Sequence, residues 1–294
     1  MGTVRMTAEA GRVCALSGSS GYVGSIIRRS LEAAGWRVIC LTRQSPTPPG
    51  QIHWSLTERQ PIANDLERHG VTALVHTAWD FTQVRKKDIW RVNVAGSLQL
   101  LDECSKAAVR QKIFVSTISA FAGAQSLYGQ AKSTVEQSFT GRHGIVVRPG
   151  LVYGASPGGM FGNLRKQVKG SKVIPIIGNG SYLQYLVHED DLALVITSLL
   201  EKHEVHESLL TVAHPKPFTF RQLLDRIAAT ECADPVLLKI PWRLVYAGLK
   251  LSEMVGLRLA FRSDSVVSLV KQNPHPKISD LATLGVSLRP FAWP

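Results

Sequence analysis

Leu16-Ser17-Gly18-Ser19-Ser20-Gly21-Tyr22-Val23-Gly24-Ser25-Ile26-Ile27 decides the fold. An apolar run of strand length, Val13 to Leu16, leads into it. A helical pattern follows: Val23, Ile26, Ile27 and Leu31 recur at helical spacing, with Arg28, Arg29 and Glu32 on the other side. Three glycines therefore stand between a short buried strand and the first turn of a helix. Gly18 suits a tight turn, Gly21 lets a pyrophosphate approach the backbone, and Gly24 lets the helix pack closely on the strand. The helix N-terminus adds unpaired N–H groups and a partial positive charge. The spacing is GxxGxxG rather than the commoner GxGxxG, so a purely structural glycine turn is the competing reading. The strand before and the helix after favour a dinucleotide site, with Ser20, Tyr22 and Val23 beside the glycines.

Outward from this turn, strand and helix patterns alternate. Strands are expected at 13–17, 37–42, 51–54, 72–76, 112–116 and 144–148. Helices are expected at 22–34, about 61–69, about 84–109 and 128–140. Continuous apolar strands separated by helices imply a parallel sheet covered on both faces. Right-handed crossovers then give an α/β fold with a Rossmann-type doubly wound sheet. After Gly154 the pattern changes. A loop, Ser156-Pro157-Gly158-Gly159, precedes a helix at about 160–169, a strand from Lys172 to Ile177, a turn at 178–181, a strand at about 182–187 and a helix at about 189–201. Residues 205–294 mix strands and helices. The expected organisation is a dinucleotide-binding domain over 1–155, to which some later segments return, and a smaller, mainly substrate-side α/β lobe over 156–294.

Composition narrows the class. Over 294 residues, 45% hydrophobic and 19% charged content describe a globular protein with a real core. The 34 basic and 22 acidic residues leave a net charge of +12, a field that draws anionic partners. The basic residues are scattered, Arg85-Lys86-Lys87 being the largest cluster, and no basic arm carries interleaved aromatics; nucleic acid is not an expected partner. Cys14, Cys40, Cys104 and Cys232 lie far apart without metal-ligand spacing, and read as buried reduced thiols of a cytoplasmic protein that holds no metal. Residues 1–12 contain no apolar core of signal-peptide length. The most apolar later stretch, Leu244 to Ala260, is interrupted by Lys250, Glu253 and Arg258. It is too broken to span a membrane, and an amphipathic helix packed on the protein or on a second subunit is expected.

Two groups of residues carry chemistry. The second strand ends Leu41-Thr42-Arg43, with no acidic side chain to bond the ribose hydroxyls of NAD. Arg43 can instead pair with the 2′-phosphate of NADP, the alternative being a plain surface arginine. Further on, Tyr128 and Lys132 stand at i and i+4 on one helix face. A tyrosine with its ordinary pKa of about 10 is a poor base at neutrality. A neighbouring ammonium stabilises the phenolate and should lower that pKa, giving a usable general acid/base. The strand before this helix, Lys112-Ile113-Phe114-Val115, ends in Ser116, Thr117 and then Ser119, hydroxyls able to bond a substrate oxygen beside the tyrosine.

These residues fall into an ordered set: Gly18-x-x-Gly21-x-x-Gly24; Val75-His76-Thr77-Ala78; Asn93-Val94-x-Gly96; Ser116-Thr117; Tyr128-x-x-x-Lys132 with Glu136; Arg148 to Gly154; and Val187-His188-Glu189-Asp190-Asp191-Leu192-Ala193. In that order they resemble the extended short-chain dehydrogenase/reductase superfamily, the branch called NAD-dependent epimerase/dehydratase, across nearly the whole chain. The resemblance implies that Tyr128 gives or takes the proton and that Lys132 holds the nicotinamide ribose. It implies that Thr117 positions the substrate oxygen. Ser119 is the rival, because the segment from Thr117 to Gly123 is one residue longer than usual. Ser116, Thr77, Ala78 and the loop from Pro149 to Val152 would line the cofactor. Asn93 would shape the site or serve structure alone, and Asp190 and Asp191 would anchor the lobe junction. An aspartate common after the third strand is replaced by Trp54-Ser55-Leu56. Trp79, Phe81 and Tyr153 are expected to line the substrate, Trp79 and Phe81 being equally readable as core aromatics. Relatives often dimerise through the helices matching 84–109 and 128–140, which implies a homodimer.

Departures from the family pattern narrow the reaction. Sugar-nucleotide 4,6-dehydratases carry an Asp-Glu pair after the strand-end threonine; here Ile118 and Ser119 occupy those places. The step from Thr117 to Tyr128 is 11 residues (128 − 117), shorter than in many sugar-nucleotide epimerases. The expected activity is hydride transfer between NADP, or NAD, and a carbonyl or carbinol carbon of a small or nucleotide-linked sugar substrate. The alternatives are a nucleotide-sugar epimerase and, less favoured, a non-catalytic dinucleotide-binding regulator.

Overall fold

The computed structural model describes residues 11–155, 158–202, 207–257, 259 and 261–292. Its elements run β1 (Val13–Ser17), α1 (Tyr22–Ala33), β2 (Arg37–Thr42), β3 (Ile52–His53), α2 (Ala63–Arg68), β4 (Ala73–His76), α3 (Lys86–Ile89), a π-helical turn (Trp90–Val94), α4 (Ala95–Lys106), β5 (Gln111–Val115), α5 (Leu127–Thr140) and β6 (Ile145–Pro149). Then come β7 (Leu151–Tyr153), α6 (Gly159–Gly170), β8 (Val173–Ile177), β9 (Leu183–Gln184), β10 (Leu186–His188), α7 (Glu189–Glu201), β11 (Leu209–Val212), β12 (Phe218–Thr219), α8 (Phe220–Thr230), β13 (Val236–Ile240), α9 (Trp242–Met254) and α10 (Ser263–Val270).

The main sheet has seven strands in the order β11-β6-β5-β4-β1-β2-β3, and its neighbours pair in parallel. This is the doubly wound sheet expected from the alternation. The order reverses between β1 and β4, so a crevice opens beyond their carboxyl ends, where such sheets bind ligands. Strand alternation explains why both faces must be covered. Cys14 and Leu16 of β1 point into a core completed by Ile27 and Leu31 of α1 and Val195 and Ile196 of α7. Ala15, between them, faces a second core with Leu100 and Leu101 of α4 and Val135 and Phe139 of α5. Period-two apolar residues on both faces cannot be left in water, and helices close each side.

A third cluster lies beneath the later lobe, around Tyr153, Phe161, Ile174, Leu223, Ile227 and Phe291. The two regions are woven together: β11 returns to the edge of the main sheet beside β6, and α7 packs along α1.

Several expectations shift in detail. The helix expected over 84–109 is α3, the π-helical turn and α4 in succession, and it stops at Lys106. The strand expected at 182–187 divides at Tyr185, because β9 pairs with β12 while β10 pairs with β7. Gly150 permits that change of partner: a Cβ there would stand 2.2 Å from the Tyr185 carbonyl oxygen. Cys14, Cys40 and Cys104 are buried thiols, but Cys232 is exposed, in a turn with φ of +51°. Residues 1–10, Ser156, Pro157, Arg258 and Ala260, on which parts of the sequence reading fall, lie outside the described residues.

Candidate active site

The glycine turn occupies the crevice between β1 and β4. Gly18 has φ of +72°, and a Cβ on it would stand 2.6 Å from Thr77 Oγ1 and 2.8 Å from the Ala78 nitrogen. Gly21 N–H donates to the Gly18 carbonyl at 2.9 Å. Gly24 lies so close beneath that a Cβ would meet the Gly18 oxygen at 2.1 Å. α1 begins after Gly21 with no side-chain cap, so its first N–H groups face outward with the exposed Ser20 and Gly21. Val23 packs against the core behind the turn. Tyr22 leans the other way, and its hydroxyl donates to Glu189 Oε2 at 2.6 Å. Burial and the Glu189 carboxylate push the Tyr22 pKa upward. Gly154 makes room for that carboxylate, since a Cβ there would stand 1.9 Å from its carbon. Pro149 is buried and Val152 packs against the same core as Val23.

The ends of β4 and β5 supply the facing wall. His76 is fully buried, its Nδ1 2.6 Å from Ser17 Oγ and its Nε2 2.8 Å from Ser97 Oγ. Burial drives its pKa down to about 3, so it is a neutral cross-brace rather than an acid or base. Thr77 Oγ1 donates to the Ser17 carbonyl at 2.7 Å, which fixes Thr77 and Ala78 over the turn. Asn93, wholly buried in the π-helical turn, brackets Asp80: its Oδ1 accepts from Asp80 N at 2.6 Å and its Nδ2 donates to Asp80 O at 3.0 Å. That clamp sets the loop bearing Trp79 and Phe81. Both rings lie beside Tyr128 with centroids 5.8 Å away, Trp79 edge-on and Phe81 tilted. Ser116 Oγ is buried with no hydrogen-bond partner among the described residues, which leaves it able to bond a polar ligand.

Tyr128 and Lys132 project from the first turns of α5. Tyr128 is partly buried and hydrogen-bonded to Thr117. Ser119 N–H donates to Thr117 Oγ1 at 3.2 Å, and the Ser119 carbonyl abuts Gly129. Of the two strand-end hydroxyls, Thr117 is thus the one bonded to the tyrosine. Lys132 is 3% exposed and donates from Nζ to the Val115 carbonyl at 2.9 Å. Its ammonium lies 4.3 Å from the Trp79 ring centre and 4.5 Å from that of Phe114, contacts of cation–π type.

The electrostatics correct one expectation. Burial pushes the Tyr128 pKa up to about 12, against which the Thr117 bond works only in part. Burial likewise drives Lys132 down to about 7, Glu136 opposing the change. Desolvation outweighs the expected lowering of the Tyr128 pKa by a neighbouring ammonium. A consequence follows for stability. The unfolded lysine, at 10.5, holds its proton through the window from pH 7 to 10.5 where the folded one has shed it, so native stability rises with pH across that window. Lys132→Met should therefore stabilise the cofactor-free protein at about pH 6.5, by on the order of 1–3 kcal/mol after loss of the Val115 bond, and the gain should fade toward about pH 10. Thermal melts of both proteins at the two pH values check it.

Residues far along the chain complete the site. Asp264 of α10 accepts from the N–H groups of Leu127 (2.8 Å) and Tyr128 (2.9 Å), and Ser126 Oγ accepts from Gly129 N at 3.1 Å. Together they cap the helix that carries the tyrosine and lysine. Arg262 donates to the carbonyls of Phe81 and Gln83, tying the aromatic loop to the same hairpin. No sequence motif marked either residue. Asp191 is buried and paired in parallel with Arg289, Oδ1 lying 2.8 Å from both Nε and Nη2, which anchors the C-terminal segment to α7. Arg43 is exposed at the end of β2; against the effect of burial, bonds from Gln83 and Thr82 and, least, the Arg43 charge hold the Asp80 carboxyl below its usual range. Tyr153 does not face a substrate space: it is 1% exposed, edge-on to His188 and Phe291 in the lobe core.

The glycine turn, without a side-chain cap at its helix, follows β1, and the Tyr-x-x-x-Lys face follows β5, with the end of β4 between them. The family model for the NAD-dependent epimerase/dehydratase family matches residues 14–212, a span that includes both. The chain belongs to the NAD-dependent epimerase/dehydratase family. Among curated relatives, a ceramide reductase of Caulobacter vibrioides is 24% identical over 246 residues, covering 80% of this chain and 76% of that protein. A UDP-glucose 4-epimerase of Azospirillum brasilense is 25% identical over 186 residues, 53% of each chain, so the match spans about half of that enzyme. Among solved structures, the dTDP-glucose 4,6-dehydratase DesIV of Streptomyces venezuelae, with NAD and TYD bound, superposes with a TM-score of 0.71 at 18% identity, covering 95% of this chain and 92% of its own. The last likeness is one of fold. As a member of this family the chain is an NAD(P)-dependent enzyme of short-chain dehydrogenase/reductase type, an oxidoreductase or epimerase.

Proposed function

We propose that this enzyme is a carbonyl reductase, with NADP(H) as its preferred dinucleotide and a substrate whose reacting carbon is flanked by apolar surface. One arrangement carries the reading: Tyr128 stands beside Thr117 with the Trp79 and Phe81 rings against it, an apolar setting in which burial keeps its hydroxyl protonated. With its pKa at about 12 and its oxygen bonded to Thr117, it presents a proton at neutral pH, and carbonyl reduction consumes one. A dinucleotide held by the glycine turn would supply a hydride to the carbonyl carbon. As the C=O bond opens, the Tyr128 O–H breaks and its proton passes to the substrate oxygen. Thr117 Oγ1 orients that oxygen, and Lys132, which burial leaves half protonated at about pH 7, offsets in its protonated form the phenolate left on Tyr128 until solvent returns a proton.

The residues present fit such a cofactor. The uncapped N-terminus of α1 and the Ser116 hydroxyl, unpaired among the described residues, each suit a polar ligand, and Gly18 and Gly24 let the turn pack tightly enough on β4 and α1 to present those N–H groups. Gly18, Ser20, Gly21, Tyr22, Val23 and Gly24 would hold its pyrophosphate. Thr77, Ala78, Pro149 and Val152 would line it, Ser116 and Lys132 would reach the nicotinamide ribose, and Arg43 the 2′-phosphate. Arg43→Ala should weaken NADPH binding by about tenfold, roughly 1.4 kcal/mol, and leave NADH binding unchanged. Fluorescence titration of both cofactors checks this, and equal NADPH affinity in the two proteins removes Arg43 from the account.

Trp79 and Phe81 beside Tyr128 suit an apolar substrate, and one relative is named for reduction of a lipid. The nucleotide-sugar reading has less support in the geometry. Arg148, Arg165 and Arg289, guanidinium groups able to clamp a diphosphate, are paired with Glu136, Glu231 and Asp191. The test is NADPH consumption with long-chain and aromatic ketones, beside UDP-glucose as an epimerase substrate. Ketone-dependent NADPH oxidation supports the reading. Conversion of UDP-glucose to UDP-galactose without net NADPH oxidation overturns it.

A further inference from the structure

α9 is a 13-residue helix with no buried residue. Its two sides differ. Trp242, Tyr246, Leu249 and Glu253 are partly buried where the helix packs against α10, and Glu253 accepts from Ser263 N and Oγ, both at 2.8 Å. On the opposite side Leu244, Ala247, Gly248, Leu251, Met254 and Val255 are all exposed. At 100° per residue they share an arc of about 120°. Leu244, Leu251 and Met254 are 65%, 62% and 76% exposed, and Leu257 and Leu259 continue the apolar run past the helix end. Arg243 and Lys250 run along one border of this arc. A stripe of this kind, left in water, forgoes about 25 cal/mol per Å² of apolar surface and marks an interaction site.

The stripe belongs to the hairpin that frames the active site. Asp264 of α10 holds the N–H groups of Leu127 and Tyr128, and Arg262 holds the carbonyls of Phe81 and Gln83. Phe81, beside Tyr128, is itself 60% exposed.

We propose that α9 docks the enzyme on an anionic lipid bilayer, lying in the plane of the interface, and that the carbonyl substrate is a lipid of that bilayer reaching Tyr128 past Phe81. The second half rests on the reductase reading; the docking does not. Charge selects this occupant. The chain carries a net +12, and Arg243 and Lys250 border the apolar arc where their heads can reach lipid phosphates while their stems lie on hydrocarbon. Lys250 is 3.7 Å from the Glu253 carboxylate, which tempers its share, whereas Arg243 lies 5.7 Å from the Trp242 ring centre with its charge exposed. A second copy would bring the same positive charge against it. Among the described residues no helix is long and apolar enough to cross a membrane, so a helix in the plane is the form that fits.

Co-sedimentation of the whole protein with phosphatidylcholine vesicles, with and without about 30% phosphatidylglycerol, tests the docking. The protein should pellet with the anionic vesicles and remain largely in solution with the neutral ones. Leu251→Glu with Met254→Glu should lower the bound-to-free ratio at least about tenfold, with NADPH affinity and melting temperature unchanged. Arg243→Glu alone should weaken binding and flatten its salt dependence. Failure to pellet with any vesicle, or equal pelleting of parent and double variant, overturns the docking. So does a dimer, seen by light scattering, that the double variant splits without any vesicle binding. Vesicle binding with no oxidation of NADPH by bilayer ketones leaves the docking standing and rejects the lipid substrate.

Discussion

Replacing Tyr128 by Phe is expected to lower carbonyl reduction by about 10²–10⁴-fold, the contribution of a positioned proton donor. The change removes one O–H and its bond to Thr117, and keeps the ring that Trp79 and Phe81 pack against. Stability should therefore move by no more than about 1 kcal/mol, the net worth of one hydrogen bond. Cofactor affinity should not change, because the glycine turn that would hold the pyrophosphate lies on another strand end. Steady-state kinetics with a melt and an NADPH titration on the same preparations separate these effects. A variant that keeps more than about a tenth of the parent rate would remove Tyr128 from the proton transfer.

Gly24→Ala should be nearly as damaging, for a steric reason. The added methyl would meet the Gly18 carbonyl oxygen at 2.1 Å, its carbon at 2.8 Å and Thr77 Oγ1 at 2.9 Å. The first two are backbone atoms of the turn itself, held by the Gly21 N–H bond, and cannot swing aside. Relief requires α1 to lift from β1 or the turn to open, which costs about 1–3 kcal/mol as an overpacked core does. Either movement displaces the N–H groups at the head of α1, so NADPH affinity should fall by more than about tenfold. Gly170→Ala is the control: nothing lies within 4 Å of the added atom, and no effect beyond about 0.5 kcal/mol is expected. Calorimetry and cofactor titration of the three proteins decide the matter; wild-type affinity in Gly24→Ala contradicts the proposed role of the turn.

The first half of the fold was legible because its signals are local. β1 and β2 occupy the expected residues, since apolar runs bounded by a glycine turn or a polar loop admit few alternatives. The Tyr128–Lys132 face was legible from its spacing and from the hydroxyls before it. What surrounds that face was not. Asp264 caps α5 from 137 positions beyond Leu127, and a lone aspartate in a serine-rich helix start carries no mark of such a partner. Tyr153 was misread because a motif position says nothing about which way a side chain points; here the lobe core claims it. The pKa of Tyr128 was misjudged because spacing shows a nearby lysine but not how deeply both groups are buried. Of the stretch expected to form an amphipathic helix, Leu244 to Met254 lies in α9, yet only the packed structure shows that α10 covers one side and leaves the other bare.

The most direct test of the account follows the hydride itself. NADPH deuterated at C4 is given to the wild-type enzyme and to Tyr128→Phe with a long-chain ketone in vesicles, and the product alcohol is analysed by mass spectrometry. One deuterium is expected at the carbinol carbon with the wild-type enzyme, and only a trace of product with the variant. Alcohol formed without deuterium, or formed equally by both proteins, would contradict it.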